Sequence, residues 1–411
     1  MQFTFDVEQR FEYGRNVDLA VPADGSSAIS ATTLTFGILS ETPLDRFAFS
    51  ASGALVIENS PSTTGTDVEF DRPEVTVAYT REIPDALFGV TGRYRRGDVA
   101  DLTDDLADAD AVGTQIDYGA TVTYEALRTA PVSIFVVGTY DATEYEDTVD
   151  PGLIGSDTLG LTVGSRLRFS EVLTGTLSVG NTREVEDSGV VTETTTTTAG
   201  LDFLLPTGTA SAVLTFDTGD TEDRTTLELS RSYEFPSAVL VARIGATNSD
   251  LGGTDVIGGL DLTQELPDGE VTLSVARGVS YDAAAAETTV DTSLAVAWER
   301  NINAQSSMLL DFSWEVSDAP SERVEETEIG ATYSRLVADR ATLDVGLRYR
   351  TRRCGRAGNV AAGFPGAWAE LLNRQGAETG PLIVLRTCAS PPFSGRSLVK
   401  GEPWRTRSKR N

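Results

Sequence analysis

Three observations make this chain an all-β, antiparallel, up-and-down β-barrel of about 18–20 strands: two-residue alternation, connections that alternate short and long, and aromatics at both strand ends. Between Asp255 and Tyr281, Val256, Leu260 and Leu262 fall on one parity and Asp261, Thr263 and Glu265 on the other. Leu266-Pro267-Asp268-Gly269 turns the chain. Val271, Leu273, Val275, Val279 and Tyr281 carry the apolar parity back, with Arg277 as the exception, against Glu270, Thr272, Ser274 and Ala276. Successive strand residues face opposite sides of a sheet. This is therefore a hairpin with one apolar and one polar face. The unit recurs from Gln2 to Arg353, and helical 3.6 spacing is not sustained in that range.

A chain of 411 residues holds two or three ordinary domains or one large barrel. The formal charge of −29 and the pI near 4.3 argue against nucleic acid as a partner. The charge is unevenly spread. From Cys354 onward there are nine Lys/Arg and three Asp/Glu, a net +6. Of 33 Lys/Arg and 62 Asp/Glu in all, residues 1–353 thus keep 24 and 59, a net −35. Both cysteines, Cys354 and Cys388, belong to the later part. No run approaches the ~18 apolar residues of a transmembrane helix. Met1 leads straight into strand-like sequence, with no signal peptide in view. By that sign the chain stays in the cytosol or is exported by a leader outside this sequence.

In the first segment Phe3, Phe5, Val7, Phe11 and Tyr13 alternate with Thr4, Asp6, Glu8, Arg10 and Glu12. Four charges in succession on one face are costly in a dry core and acceptable on a wet face. The same pattern sets Phe88, Val90 and Tyr94 against Thr91, Arg93 and Arg95, and Met308, Leu310, Phe312 and Trp314 against Asp311, Ser313 and Glu315. It closes with Leu343, Val345, Leu347 and Tyr349 against Asp344, Arg348 and Arg350.

Short connections are expected near 41–45, 83–85, 127–131, 169–173, 205–208, 235–237, 266–269, 301–304 and 337–340. Pro43, Pro84, Pro131, Pro206, Pro236 and Pro267 lie in them, as tight turns favour. Longer, acidic and Gly/Thr-rich ones are expected near 14–27, 59–72, 97–114, 145–157, 184–190, 217–224, 248–254, 282–288 and 317–325. Short turns at one end and long loops at the other are the layout of a barrel that spans a membrane. Soluble sandwiches use Greek-key crossings instead.

The aromatics are an independent sign. Tyr79, Tyr124, Tyr233, Trp298 and Tyr333 lie near short turns, on the apolar parity. Tyr13, Tyr94, Tyr140, Tyr281, Trp314 and Tyr349 lie toward the long loops on the same parity. An amphipathic ring is most stable where hydrocarbon meets water, so two belts of membrane-interface aromatics are expected.

On these residues, positions 1–353 resemble the transmembrane β-barrels of Gram-negative outer membranes, in the porin-like size range. The resemblance is architectural and covers no motif that fixes a subfamily. It implies a place in the outer membrane, outer-membrane lipid and the barrel-assembly machinery as partners, turns toward the periplasm and loops outside. Barrels of this class normally close with an even number of strands and end on a strand with a terminal aromatic. The connection count gives nineteen, and this chain ends Ser408-Lys409-Arg410-Asn411.

After Arg353 the alternation stops, and Pro391-Pro392 and a basic terminus follow. Residues 354–411 are expected to be an irregular basic tail. A change of reading frame near codon 353 would produce such a break; a basic extension native to the protein is the other reading. Pro381 to Leu385 could form a strand, but nothing frames it. Without a twentieth strand, strands 1 and 19 run the same way, and a gap or a strained parallel closure is expected between them.

The chain has no histidine, which removes a Ser-His pair and imidazole metal sites. The barrel has no cysteine for a nucleophile or zinc. No enzyme activity, cofactor or metal is expected. Asp101, Asp104, Asp105, Asp108 and Asp110 lack the spacing and turn glycine of a dedicated calcium loop and read as a solvated loop. The polar parity is the functional candidate. Asp6, Glu8, Arg10, Arg93, Arg95, Asp261, Glu265, Asp311, Glu315, Asp344, Arg348 and Arg350 are expected to line the lumen. The expected function is a passive channel for ions or small solutes with a weak preference for cations. The alternatives are a structural or adhesive barrel without conductance and a soluble secreted β-rich adhesin. Solute and oligomeric state are not legible.

Overall fold

The computed structural model describes residues 1–15, 25–59, 67–99, 113–148, 153–220, 222–282, 287–320, 323–338, 341–355 and 377–389. All its elements are strands. They are β1 (Gln2–Arg15), β2 (Ser26–Glu41), β3 (Asp45–Asn59), β4 (Asp67–Ile83), β5 (Ala86–Asp98), β6 (Thr114–Ala126) and β7 (Val132–Glu146). Next come β8 (Ser156–Arg168), β9 (Leu173–Glu186), β10 (Val191–Leu205), β11 (Gly208–Gly219), β12 (Arg224–Glu234), β13 (Ala238–Ser249) and β14 (Gly253–Leu266). The last are β15 (Gly269–Asp282), β16 (Glu287–Asn303), β17 (Ser306–Asp318), β18 (Arg323–Ala338), β19 (Ala341–Gly355) and β20 (Ala377–Ala389).

Each strand from β1 to β19 pairs antiparallel with the next, as the meander predicts. The hairpin read first from the sequence is β14–β15, with Leu262 opposite Leu273 and Leu266 opposite Gly269 across a two-residue turn. Seven of the nine short connections fall where expected; the one near 301–304 lies at 304–305, and residues 339–340 of the last lie outside the described residues. At one of them Gly208 has φ 124°, a conformation that favours glycine. A Cβ there would also collide with the Ser232 carbonyl oxygen.

Two expectations change. The first concerns closure. β20 pairs antiparallel with β19, from Ala341 opposite Thr387 to Thr351 opposite Ala377. It pairs antiparallel with β1 as well, from Phe5 opposite Ala389 to Glu12 opposite Leu382. The expected gap or parallel closure is therefore wrong, and part of 354–411 is a regular strand. The run Pro381–Leu385 lacked framing in sequence because its partners lie at the two ends of the sheet. The second concerns the loop near 59–72, which was placed too long: β4 already begins at Asp67. Opposite Ser52 and Ala54 the β3–β4 register slips, Ser52 facing Glu74 and Ala54 facing Asp71. The extra residue falls at Arg72-Pro73, where Arg72 has φ 53°. A bulge of this kind accommodates a proline without a ladder N–H and shifts the parity by one. Val68 and Phe70 thus share a face with Val75, Val77 and Tyr79, and alternation across the bulge fails in sequence.

The two faces are opposite in character. Buried apolar side chains are few and small among the described residues: Ala54, Leu87, Val99, Ala142, Val316 and Val324. Large ones lie open instead, with Ile244 64%, Leu347 63% and Leu159 61% exposed. A continuous apolar surface of this kind needs an apolar medium. The polar face is the concave one, because a side chain on it spans three strands: Arg224 on β12 reaches the Val279 carbonyl on β15, and Arg166 on β8 reaches Glu125 on β6. Apolar-out and polar-in is the arrangement of a membrane barrel.

This assignment predicts unequal costs for arginine on the two faces. Leu347→Arg is expected to cost about 2–4 kcal/mol at mid-bilayer, and Thr272→Arg on the inner face much less. Equilibrium urea unfolding of both variants in lipid vesicles measures the difference, and equal costs contradict it.

Candidate functional site

The inner face carries its charges in three arcs. In the first, β5, β6 and β7 bring together Arg93, Arg95, Asp117 and Asp141. Arg95 Nε donates to Asp117 Oδ2 at 2.6 Å and Arg93 Nη2 to Asp141 Oδ1 at 2.9 Å. Asp117 is 5% exposed. It also accepts from Gln115 Nε2 at 3.0 Å and Thr143 Oγ1 at 2.9 Å. Burial of this carboxylate is tolerated because donors from three strands surround it.

In the second arc, Arg243 Nη2 donates to Asp261 Oδ2 at 2.6 Å, and Ser274 Oγ donates to Oδ1 of the same carboxylate at 2.7 Å. Glu265 is exposed near the β14–β15 turn, opposite Glu270.

The third arc is β17, β18, β19 and β1. Arg350 grips Glu326 with two bonds, Nε to Oε1 at 2.8 Å and Nη2 to Oε2 at 2.9 Å. This fork-to-fork geometry is the strong form of the pair. Arg348 Nε lies 3.1 Å from Glu328 Oε1. Asp311 lies flat over Gly330, where a Cβ would collide with both carboxylate oxygens. Glu315 is exposed opposite Glu326. Asp344 is half-buried on β19. On β1, Asp6, Glu8 and Arg10 are half-buried, and Arg10 pairs with Glu12 on its own strand.

The predicted inner-face residues therefore share one face, but they do not converge on one point. They are spread around the wall as separate pairs. The sequence reading missed Asp117, Asp141, Arg243, Glu326 and Glu328, the partners that hold them. Each lies on the polar parity, so parity alone could have found them. Arg243 was masked by its inward neighbours Val239 and Val241. Two further pairs were missed nearer the rims: Arg224 Nε with Asp217 Oδ2 at 3.4 Å, and Arg128 Nη1 with Glu82 Oε1 at 2.8 Å.

On the other face the aromatics lie near the strand ends. Tyr79 Oη donates to Asp45 at 2.8 Å near a short turn. Toward the loops, Tyr140 Oη donates to Asp157 at 2.6 Å and Trp314 Nε1 to Glu325 at 3.0 Å. Each ring thus has an apolar body on the apolar face and a polar tip on a carboxylate nearer the rim. Tyr13, Tyr124, Tyr233 and Tyr333 are exposed on the same face; Tyr94, Trp298 and Tyr349 are half-buried there. The Tyr281 side chain and the acidic run 101–110 lie outside the described residues.

A closed antiparallel sheet with a charged concave face and an apolar convex face defines the class of fold, the outer-membrane type of β-barrel. No family model matches the chain, and no curated protein matches it. Solved structures share the fold at low sequence identity. The siderophore receptor PirA of Acinetobacter baumannii matches with 7% identity over 94% of this chain and 80% of its own, at a TM-score of 0.55. PirA of Pseudomonas aeruginosa matches with 10% identity over the same shares, at 0.51. A mutant ferric enterobactin receptor, PfeA of Pseudomonas aeruginosa, does so with 10% identity over the same shares, at 0.53.

The arcs differ in what they contribute to stability. Asp117→Ala removes the buried carboxylate that Arg95, Gln115 and Thr143 share and is expected to cost about 1–3 kcal/mol. Arg93→Ala removes a pair whose side chains are 59% and 45% exposed and is expected to cost no more than about 1 kcal/mol. Urea midpoints in vesicles compare the two, and a larger loss in the Arg93 variant reverses the ranking.

Proposed function

We propose that the chain sits in the outer membrane as a passive channel for ions or small solutes, with a modest preference for cations. The observation that carries this reading is the concave face, whose charged side chains are distributed around the wall and belong in water. Barrels of roughly 16–18 strands enclose a water-filled lumen and those of about 22 usually hold a plug. This barrel has twenty, and every element among the described residues is part of the wall. Asp6, Glu8, Arg10, Arg93, Arg95, Asp261, Glu265, Asp311, Glu315, Asp344, Arg348 and Arg350 line the path in this reading. The Tyr and Trp residues at both ends of the convex face form its interfacial girdles.

The direction of selectivity follows from charge. Residues 1–353 carry 59 Asp/Glu against 24 Lys/Arg, with many of the acids in loops at one mouth. A mouth of one sign concentrates counter-ions, and salt screens the effect as the Debye length falls from ~10 Å at 0.1 M to ~3 Å at 1 M. The inner arginines oppose this field, but those of the arcs are already neutralised by partners. The loop carboxylates therefore dominate, and the preference is modest.

Planar-bilayer recording on the full chain tests this. Under a tenfold KCl gradient the reversal potential is expected on the cation-selective side, and to shrink toward zero when both solutions are made more concentrated. An anion-selective potential would show that the inner arginines set the field. A protein that inserts without conducting would favour a structural barrel.

A further inference from the structure

The convex face is not electrically uniform. At its short-turn end it carries Arg81, Arg231, Arg300 and Arg335, on β4, β12, β16 and β18. Each shares that face with an aromatic two residues away: Tyr79, Tyr233, Trp298 and Tyr333. Among the described strand residues, the acid at this end of the convex face is Asp45, which Tyr79 Oη and Arg81 already share. At the loop end the convex charges are mixed: Arg96 pairs with Glu146, Arg183 with Glu193 and Arg323 with Asp318, while Arg277 donates to the Val256 carbonyl and Thr292. Among the described strand residues, a strongly acidic chain thus presents an excess of arginine to the surroundings at this level.

The densest part is on β16–β18. Register places Arg300, Met308 and Tyr333 in one row across three strands. Arg335 lies in the next row toward the turns, opposite Ser306. Arg300 Nε meets Asp268 at 3.0 Å with about half of each side chain exposed. Arg335 is exposed and has no acceptor among the described residues. Two guanidinium groups, one with no acceptor among the described residues, therefore flank Met308 beside Trp298.

We propose that Arg300 and Arg335 form a headgroup site for an anionic glycerophospholipid of the leaflet at the turn side. This rests on the reading that the convex face lies in lipid. A guanidinium fork matches a phosphate by geometry and charge. Trp298 and Tyr333 place the site at the headgroup level, where such rings reside. The acyl chains then run along Leu310, Phe312 and Ile329 toward mid-membrane. A zwitterionic headgroup presents no net charge to the same pair and is bound less well.

Binding is read from bromine quenching of Trp298 fluorescence in the full-length Trp314→Phe/Trp368→Phe/Trp404→Phe protein, in which Trp298 is the one remaining tryptophan, reconstituted in phosphatidylcholine. Brominated phosphatidylglycerol and brominated phosphatidylcholine are titrated in separately. Each basic side chain near a charged headgroup contributes about fivefold in affinity. Since Arg300 is shared with Asp268, the preference for phosphatidylglycerol is expected to be about five- to twentyfold. Arg300→Gln/Arg335→Gln is expected to abolish it. Arg335→Gln alone, which breaks no ion pair among the described residues, is expected to lower it several-fold, and Arg183→Gln at the loop end to leave it unchanged. Equal quenching by both lipids in the parent, or an undiminished preference in the double variant, overturns the proposal. Heat-modifiable gel migration of each sample keeps this result separate from the barrel reading. Samples that migrate as folded barrels but show no preference sink the lipid site alone.

Discussion

Every backbone amide of a strand in hydrocarbon must find its partner within the protein, because no water is available there. This requirement shapes the whole chain. It excludes an open sheet, since an edge strand would leave a row of orphan groups in lipid. An even number of strands in an up-and-down meander adds antiparallel closure, because the first and last strands then run in opposite directions. Twenty strands meet both conditions, with β20 supplying the pairing that β1 and β19 lack. What the ring leaves free is side-chain choice on two faces, one matched to lipid and one to water.

Most of this was legible in the sequence because the two faces differ so sharply. Runs such as Phe3 to Tyr13 and Leu343 to Arg350 state their parity residue by residue. The short turns were legible through proline. Legibility failed where a single residue broke the period. The bulge at Arg72-Pro73 displaces the alternation by one, so in sequence Val68 and Phe70 read as loop. It failed again at β20, whose strand character rests on partners more than 300 residues away in one direction. Of the inner wall, the charged residues were found but not their pairing. Whether Arg350 meets Glu326 or stands alone depends on the β18–β19 register, which parity does not give.

The inner wall has its own logic. Arginines and carboxylates are interleaved between neighbouring strands, so most charges lie flat against the wall. Glycines help: Gly330 and Gly119 leave slots that Asp311 and Asp141 occupy. A charged side chain held along the wall takes less of the cross-section than one that projects. The same pairs fix the register of adjacent strands, so lumen shape and sheet order are set by the same contacts.

The seam between β1 and β20 differs from every other junction in its separation along the chain. Nineteen of the pairings join strands adjacent in sequence and can form hairpin by hairpin. This one closes a loop spanning nearly the whole protein, and the entropic cost of closure rises with the logarithm of loop length. Its β1 side ends at Glu12 opposite Leu382, next to Pro381, which has no N–H to offer. Folding rates fall as contacts become less local. The slow phase of barrel formation is therefore expected at this junction, and a half-assembled barrel is a curled sheet with two complementary edges awaiting each other.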